Sequence, residues 1–400
     1  MFLDTLSGAA EDVENDVLDA WMDTLLHLAY HGIKRGRRIK VLVNPHSGTK
    51  KGAALFKRVI EPVLLAGHCT IDVTYTNGRN HGYEIAQSIS LDFDAVAIVS
   101  GDGLVHEVLN GFAHHAQPRK AFGIPLVPIP AGTGNGLSLN ILGFQDGFDI
   151  VASALNAVKG VSMKVDLFSM VQNGKRTISF MSQAIGLIAD LDIGTEDLRW
   201  MGDARFTYGL LRGLIRFKPC PVKLSYKAAE LDKDKMYDSM KRSRQNVGVP
   251  AEESEVIEDT ALPPLQYSES KDGWTDVESP LLYVYAGKGP YVGRDFMAFP
   301  VSLPDDGLID IVVQPLGHTS RSDILLGLAG AQKGELFWND KVTYIKAHAY
   351  RITPLAPTGA LSVDGEIFPF EEFQVETHKG LAHLLSPHGY YAADLAPRRS

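Results

Sequence analysis

Between residues 38 and 130, compact apolar runs alternate with stretches whose apolar residues recur every three or four positions. The runs at 39–43, 95–100 and 125–130 are short and uniformly apolar, so they predict strands buried on both faces; 69–76 alternates as a further strand. The stretches 53–66, 81–90 and 104–113 read as intervening helices. This order predicts a mostly parallel sheet with right-handed crossovers. From residue 161 the pattern changes. Strands are expected at 164–171, 177–181, 222–227, 281–286, 309–314, 344–353, 359–363 and 373–377, with helices clearest at 198–217 and 320–328. This half predicts an antiparallel β-sandwich.

Ahead of both lies a segment in which Val17, Leu18, Trp21, Met22, Leu25, Leu28 and Ala29 keep helical spacing, followed by the basic run Lys34, Arg35, Arg37, Arg38. The chain therefore divides into an N-terminal amphipathic helix and basic linker (1–38), an α/β domain (39–160) and a β-sandwich domain (161–395), with the active site expected in the cleft between the last two. Residues 227–278 carry 13 acids and 7 bases and are expected to be a mostly disordered insertion.

Composition agrees with a globular reading: 45% of the 400 residues are hydrophobic and 22% charged. The net charge of −9 argues at first against anionic partners. Its distribution removes the objection, because residues 1–33 carry seven acids and no Lys or Arg. With that segment and the acidic insertion set aside, the two-domain body is weakly positive, compatible with anionic ligands and an anionic membrane surface. Two cysteines, Cys69 and Cys220, cannot build a disulfide framework or a thiolate metal site. No basic segment leads into an apolar run, so a cytoplasmic location is expected.

Three turns share one physical feature: each follows a buried strand, is rich in small residues and leads toward a helix. They are Asn44-Pro45-His46-Ser47-Gly48, Ser100-Gly101-Asp102-Gly103 and Pro130-Ala131-Gly132-Thr133-Gly134-Asn135. In an open parallel sheet such turns line the crevice at the carboxyl ends of the strands. Glycines let the backbone approach phosphate, and helix N-termini present free N–H groups. Neither a P-loop nor a Gly-x-Gly-x-x-Gly fingerprint after the first strand is present.

In these turns, together with Ser100-Gly-Asp-Gly-Leu-Val-His-Glu-Val-Leu-Asn-Gly111, the chain resembles the lipid kinase superfamily of diacylglycerol, ceramide and sphingosine kinases. Phe180-Met-Ser-Gln-Ala-Ile-Gly-Leu-Ile-Ala-Asp-Leu-Asp192, then Arg199 and Met201-Gly-Asp-Ala-Arg-Phe206, is similar to the sphingosine kinase pattern, and Leu361-Ser-Val-Asp-Gly-Glu366 to the family's C-terminal motif. The resemblance implies ATP-dependent phosphorylation of the primary hydroxyl of sphingoid bases such as sphingosine, dihydrosphingosine and phytosphingosine, with Mg²⁺. It places Asp102 beside the reacting hydroxyl as general base or metal ligand, and Glu366 near metal and phosphates. Asn44, His46, Thr76, Ser100, Gly101, Gly103, Glu107, Gly132 and Thr133 fall at nucleotide positions, and Arg199 and Arg205 at phosphate clamps. His46 departs from the arginine of mammalian members. Asp192 and Ser182, with Asp190 alongside, fall at the lipid headgroup, where a carboxylate favours an ammonium over neutral diacylglycerol.

The basic apolar stretch at 206–218 suits an acyl-chain tunnel or an anionic bilayer as well as packing on the sheet, and peripheral association with intracellular membranes is expected. Asp305-Asp306-Gly307-Leu308-Ile309-Asp310 resembles a turn-then-strand motif of the superfamily. The alternatives are a diacylglycerol or ceramide kinase of the same fold, a soluble NAD kinase, and a non-catalytic lipid-binding protein; Asp192 speaks against the first, and the intact acids and arginines against the last.

Overall fold

In the computed structural model, residues 15–30, 32–48, 50–194, 218–245, 261–267, 272–277, 280–317 and 320–398 are described. The N-terminal unit is built on four parallel strands, β1 (Arg38–Val43), β2 (Thr70–Tyr75), β3 (Ala95–Ser100) and β4 (Leu126–Pro130), in the order β4-β3-β1-β2. The apolar runs are buried on both faces because both are covered. Val96 and Ile98 face a core shared with the helix Asp102–Ala113, whereas Ala95, Ala97 and Val99 face Phe56, Ile60, Leu64, Ala154 and Val158 on the other side. Helices α1 (Asn15–Tyr30), α2 (His81–Gln87), α3 (Asp102–Ala113), α4 (Gly136–Asp146) and α5 (Ile150–Lys159) belong to this half, with a helical run at 52–66. Helices α4 and α5 were not read from the sequence, where the prolines and glycines of 121–145 mask the first. Asp149 caps α5 through the N–H groups of Val151 and Ala152.

The second unit is antiparallel, as the pattern predicts. Its strands are β5 (Val161–Gln172), β6 (Lys175–Ser179), β7 (Ser182–Gly186), β8 (Val222–Glu230), β9 (Thr275–Val277), β10 (Leu281–Gly287), β11 (Tyr291–Gly293), β12 (Phe296–Met297), β13 (Ile309–Pro315), β14 (Thr343–Pro354), β15 (Leu361–Val363), β16 (Glu366–Phe368) and β17 (Phe373–Ser386). The ladder runs β16-β15-β7-β10-β13-β14-β17 and then continues into the N-terminal sheet, because the end of β17 lies parallel to β4 at Leu384 and Leu126. One face buries Phe168, Leu224, Val284, Ile311 and Tyr350. The opposite face carries Tyr283, Tyr285, Val312 and Tyr344 under the helices α6 (Leu187–Gly194), α7 (Lys233–Gln245) and α8 (Arg321–Ala329).

The expectation of a mostly disordered insertion does not hold for the residues described there. Of 227–278 the described residues include the end of β8, all of α7 and the docked segments 261–267 and 272–277. Helix α7 is hydrophilic on average, yet Met236, Tyr237 and Met240 are buried on one side of it, and Lys233 donates to the carbonyls of Asn339 and Val342. Three apolar residues on one turn suffice to fasten a helix whose charge conceals it in a composition count. Downstream, Trp274 lies under the Arg351 guanidinium at 4.0 Å, and Glu376 accepts the N–H groups of Gln266 and Tyr267. The expected helix at 198–217, with Arg199 and Arg205, lies outside the described residues.

Candidate active site

The three turns converge at the carboxyl ends of β1, β3 and β4. Asn44 starts the first: its Oδ1 accepts the His46 N–H at 2.9 Å and its Nδ2 reaches Ser100 Oγ at 3.4 Å. Ser100 Oγ in turn lies 3.3 Å from Ser47 Oγ. The third turn is closed by Asn135, whose side chain bonds both the N–H and the carbonyl of Gly132. His46 is exposed at the rim and Thr76 is buried, its N–H on the Val43 carbonyl.

The glycines divide by function. A Cβ on Gly132 would come within 2.4 Å of Gly101 Cα, and one on Gly101 within 2.6 Å of the Gly134 carbonyl oxygen, so these two are required by the packing of one turn on the other. Gly103 differs. A Cβ there would meet nothing closer than Glu366 Oε1 at 3.9 Å, which leaves open space between the two domains.

Asp102 borders that space. It opens α3, is 7% exposed, and its carboxylate accepts the N–H groups of Gly136 (2.7 Å) and Leu137 (3.2 Å), capping α4. Burial pushes its pKa up to about 6 against the lowering effect of those two N–H groups, and the nearby Asp364 adds to the rise. Glu107, one turn further along α3, accepts the N–H groups of Asn80 (3.0 Å) and Gly82 (2.9 Å). It therefore fixes the left-handed Asn80 and the start of α2, and with them the loop that begins at Thr76.

Glu366 arrives from the second domain on the hairpin β15–β16. Asp364 and Gly365 form its two-residue turn with φ of 50° and 81°, the primed geometry that Asp-Gly adopts between short antiparallel strands. Glu366 Oε2 pairs with Arg79 at 2.5 Å across the cleft. Asp364 points inward and is fully buried. It accepts from Ser179 Oγ, the N–H groups of Phe180, Met181 and Ser182, and His106 Nδ1 at 2.8 Å. Burial lowers the His106 pKa, but the Asp364 hydrogen bond and charge outweigh it and raise it. Asp102 and His106 stand one turn apart on α3, while Asp364 and Glu366 stand two residues apart on the hairpin. The His106–Asp364 bond thus ties the helix that begins with Asp102 to the hairpin that carries Glu366.

The structure brings together Asn44, Ser100, Gly101, Asp102, Gly103, Gly132 and Glu366. Thr133 belongs to the same third turn. Ser182 joins them through the Asp364 node, its N–H and carbonyl both bonded to that residue. Asp190 is exposed on α6 and close enough to Cys220 to add to the burial that pushes that thiol up to about 12. Asp192 lies on α6, but its side chain is outside what is described. Arg79, His106 and Asp364 were missed in the sequence. Asp364 had a signal, since an Asp-Gly turn after the alternating Leu361-Ser362-Val363 marks a hairpin, whereas His106 could be paired with it only through the fold.

Residues 38–170 match the family model for the diacylglycerol kinase catalytic domain. Across 383 residues the chain is 32% identical to sphingoid long chain base kinase 4 of Schizosaccharomyces pombe, covering 94% of this chain and 80% of that protein. It is 31% identical to sphingoid long chain base kinase 5 of Saccharomyces cerevisiae over 93% of this chain and 62% of that one. Human sphingosine kinase 1 is 28% identical, with 88% and 92% covered. Among solved structures, a putative diacylglycerol kinase from Bacillus anthracis superposes with a TM-score of 0.61 at 20% identity over 88% of this chain and 97% of that one, a likeness of fold.

Proposed function

The chain belongs to the sphingoid long-chain-base kinases, a family built on the diacylglycerol kinase catalytic domain, and from that membership we propose how its residues divide the reaction. The enzyme is a lipid kinase that transfers the γ-phosphoryl group of ATP to the primary hydroxyl of a sphingoid base, giving the 1-phosphate. Asp102 accepts the proton of the attacking hydroxyl. A carboxylate with its pKa raised to about 6 is a stronger base than an ordinary one and is still ionised at neutral pH. The juxtaposition that carries this reading is Gly103, next to Asp102 at the start of α3, with Glu366 Oε1 3.9 Å from where a Gly103 Cβ would stand.

The turns at Asn44, Ser100 and Thr133 hold the nucleotide, with Thr76 and Glu107 shaping the loop beside it. His46 meets the phosphates from the rim, and Arg199 and Arg205 clamp them. The donor chemistry suits Mg²⁺, since carboxylate oxygens are its usual protein ligands; among the described residues no cluster of three or more such groups would hold a metal unaided. Glu366 would hold the ion, with Asp102 a ligand only as the alternative to its role as base; when bound, the ion neutralises charge on the transferred phosphoryl group. Ser182, Asp190 and Asp192 receive the headgroup, the carboxylates recognising the ammonium.

The alkyl tail enters the apolar layer between β10, β13 and β14 and the helices α6 to α8. A small cavity in that layer, lined by Tyr283, Tyr285, Phe296, Val312, Phe337 and Tyr344, supports this choice. Its free volume is about 10 Å³, the space of one water, so the layer must open as the tail enters. Burial of each methylene contributes about 0.8 kcal/mol toward that opening. No helix among the described residues is long and apolar enough to cross a membrane. Peripheral contact from the cytoplasm is the route proposed for reaching the lipid.

A lipid panel tests the reading. With Mg²⁺ and labelled ATP, sphingosine, dihydrosphingosine and phytosphingosine should be phosphorylated far faster than diacylglycerol, ceramide or NAD. Equal rates on diacylglycerol would remove the role of Asp192 and its neighbours.

A further inference from the structure

Helix α1 plays no part in the site. It precedes β1, and the six residues of that strand hold it about 20 Å from Asn44 and the cleft. One seam of the helix, Leu18, Leu26, Ala29 and Tyr30, is half-buried; Tyr30 packs on the core behind β1, with the Lys159 ammonium over its ring at 5.6 Å. The adjoining stripe has no cover among the described residues. Val17 is 57% exposed, Trp21 61%, Leu25 50% and Leu28 59%, at positions i, i+4, i+8 and i+11, with Met22 beside them at 46%. The opposite face carries Asp16, Asp19 and Asp23, with His27 one turn beyond Asp23 and no Lys or Arg. Four more acids precede the helix in sequence, and residues 1–33 contain no Lys or Arg.

A face of this kind fits an interface where an apolar stripe enters the acyl region and the polar face stays in the headgroup layer. Amphipathic helices that bind ordinary anionic membranes are lysine- and arginine-rich, and this one has the opposite sign. The occupant must therefore be a bilayer that is not negative. The substrate supplies one: a sphingoid base carries an ammonium at neutral pH, and its accumulation makes a membrane surface positive. Phosphorylation adds about −1.5 to −2 charges to the same molecule, which reverses that sign.

We propose that α1 docks the enzyme on bilayers made cationic by its own substrate and lets go as the product accumulates. The exposed stripe supplies insertion; the aspartates supply the dependence on surface charge. The inference rests on the sphingoid base being the substrate. A surface potential near 30 mV acting on three carboxylates changes partitioning by roughly tenfold or more.

The test is flotation of the full chain, without nucleotide, on vesicles of phosphatidylcholine alone or doped with sphinganine, sphinganine 1-phosphate or phosphatidylserine. Binding should rise about tenfold with sphinganine and fall below the phosphatidylcholine level with either anionic lipid. Trp21→Glu with Leu25→Glu should abolish binding to every vesicle. Asp16→Asn with Asp19→Asn and Asp23→Asn should keep binding to phosphatidylcholine and lose the response to sphinganine. Both variants should phosphorylate detergent-dispersed base at the parent rate. Equal binding to sphinganine and phosphatidylserine vesicles would overturn the proposal. So would unchanged flotation of the Trp21/Leu25 variant, or a dimer in sedimentation equilibrium that this variant dissolves. Charge-dependent flotation without turnover of dispersed base would instead overturn the assigned activity.

Discussion

At the scale of single residues, Asp102 stands between two demands. Its carboxylate caps α4, which favours the anion, and it is buried, which favours the acid; burial wins and the pKa reaches about 6. A folded-state value above the unfolded one means that stability is lost as pH rises between about 4 and 6, at a cost near 3 kcal/mol at neutrality. Catalysis runs the other way, since the base must be ionised. We expect kcat/KM to fall about tenfold per pH unit below 6, and Asp102→Asn to lose at least a thousandfold in kcat without melting lower than the parent at pH 7.5, by calorimetry. Asp364 is the contrasting acid, because it accepts from five donors where Asp102 accepts from two. Asparagine would turn an N–H₂ toward backbone N–H groups, so Asp364→Asn should cost about 3 kcal/mol in denaturant titrations and raise the KM for ATP as the Glu366 hairpin loosens. The Gly-Asp-Gly turn announced Asp102 because its chemistry is local. His106 and Asp364 are 258 positions apart, and nothing local joins them.

Among the elements, those whose sequence pattern matched their surroundings were legible. Strand β3 is uniformly apolar because both of its faces are buried, and α3 carries Leu104, Val105, Val108 and Phe112 at helical spacing because it covers one of them. Helix α7 was not legible. Its charges face solvent, and the three residues that hold it meet partners drawn from β10 to β14, far away in sequence. Met240→Ala should therefore destabilise the fold by about 2 to 4 kcal/mol, as large-to-small changes in a packed layer do. The same side chain roofs the layer assigned to the alkyl tail. Met240→Ala should also shift the preference toward longer-chain bases, measured as relative kcat/KM across chain lengths on detergent-dispersed substrate. An unchanged preference would separate α7 from the tail site.

For the whole molecule, one strand decides whether the two domains act as one body. β17 pairs with β14 and β5 in the second domain and ends beside β4 in the first, with a bulge between His378 and Ala382 where it changes course. Gly380 sits in the bulge at φ 56°, its N–H held by Asp166. Asp166 in turn accepts Lys288, whose fully buried ammonium also donates to Asp306 (2.5 Å) and to the Leu308 carbonyl (2.7 Å), while Lys346 bridges Asp306 and Asp310. Two acids of the 305–310 motif, Asp306 and Asp310, are thus already paired with lysines. Against the cost of burial, Lys288 and Lys346 hold Asp306 well below the usual carboxylate range and the carboxylates raise the Lys288 ammonium, whereas burial raises Asp166. Removing the cation alone strands two buried carboxylates, and Lys288→Met should cost about 3 to 5 kcal/mol. Removing the acids with it, as Lys288→Met with Asp166→Asn and Asp306→Asn, should recover a large part of that loss, because the desolvation penalty goes too. Both variants should melt in a single calorimetric transition that ATP with Mg²⁺ raises, since the ladder through β17 couples the domains. Two separated transitions in Lys288→Met, with only the earlier or only the later responding to nucleotide, would show that the bulge and not the ladder supplies the coupling.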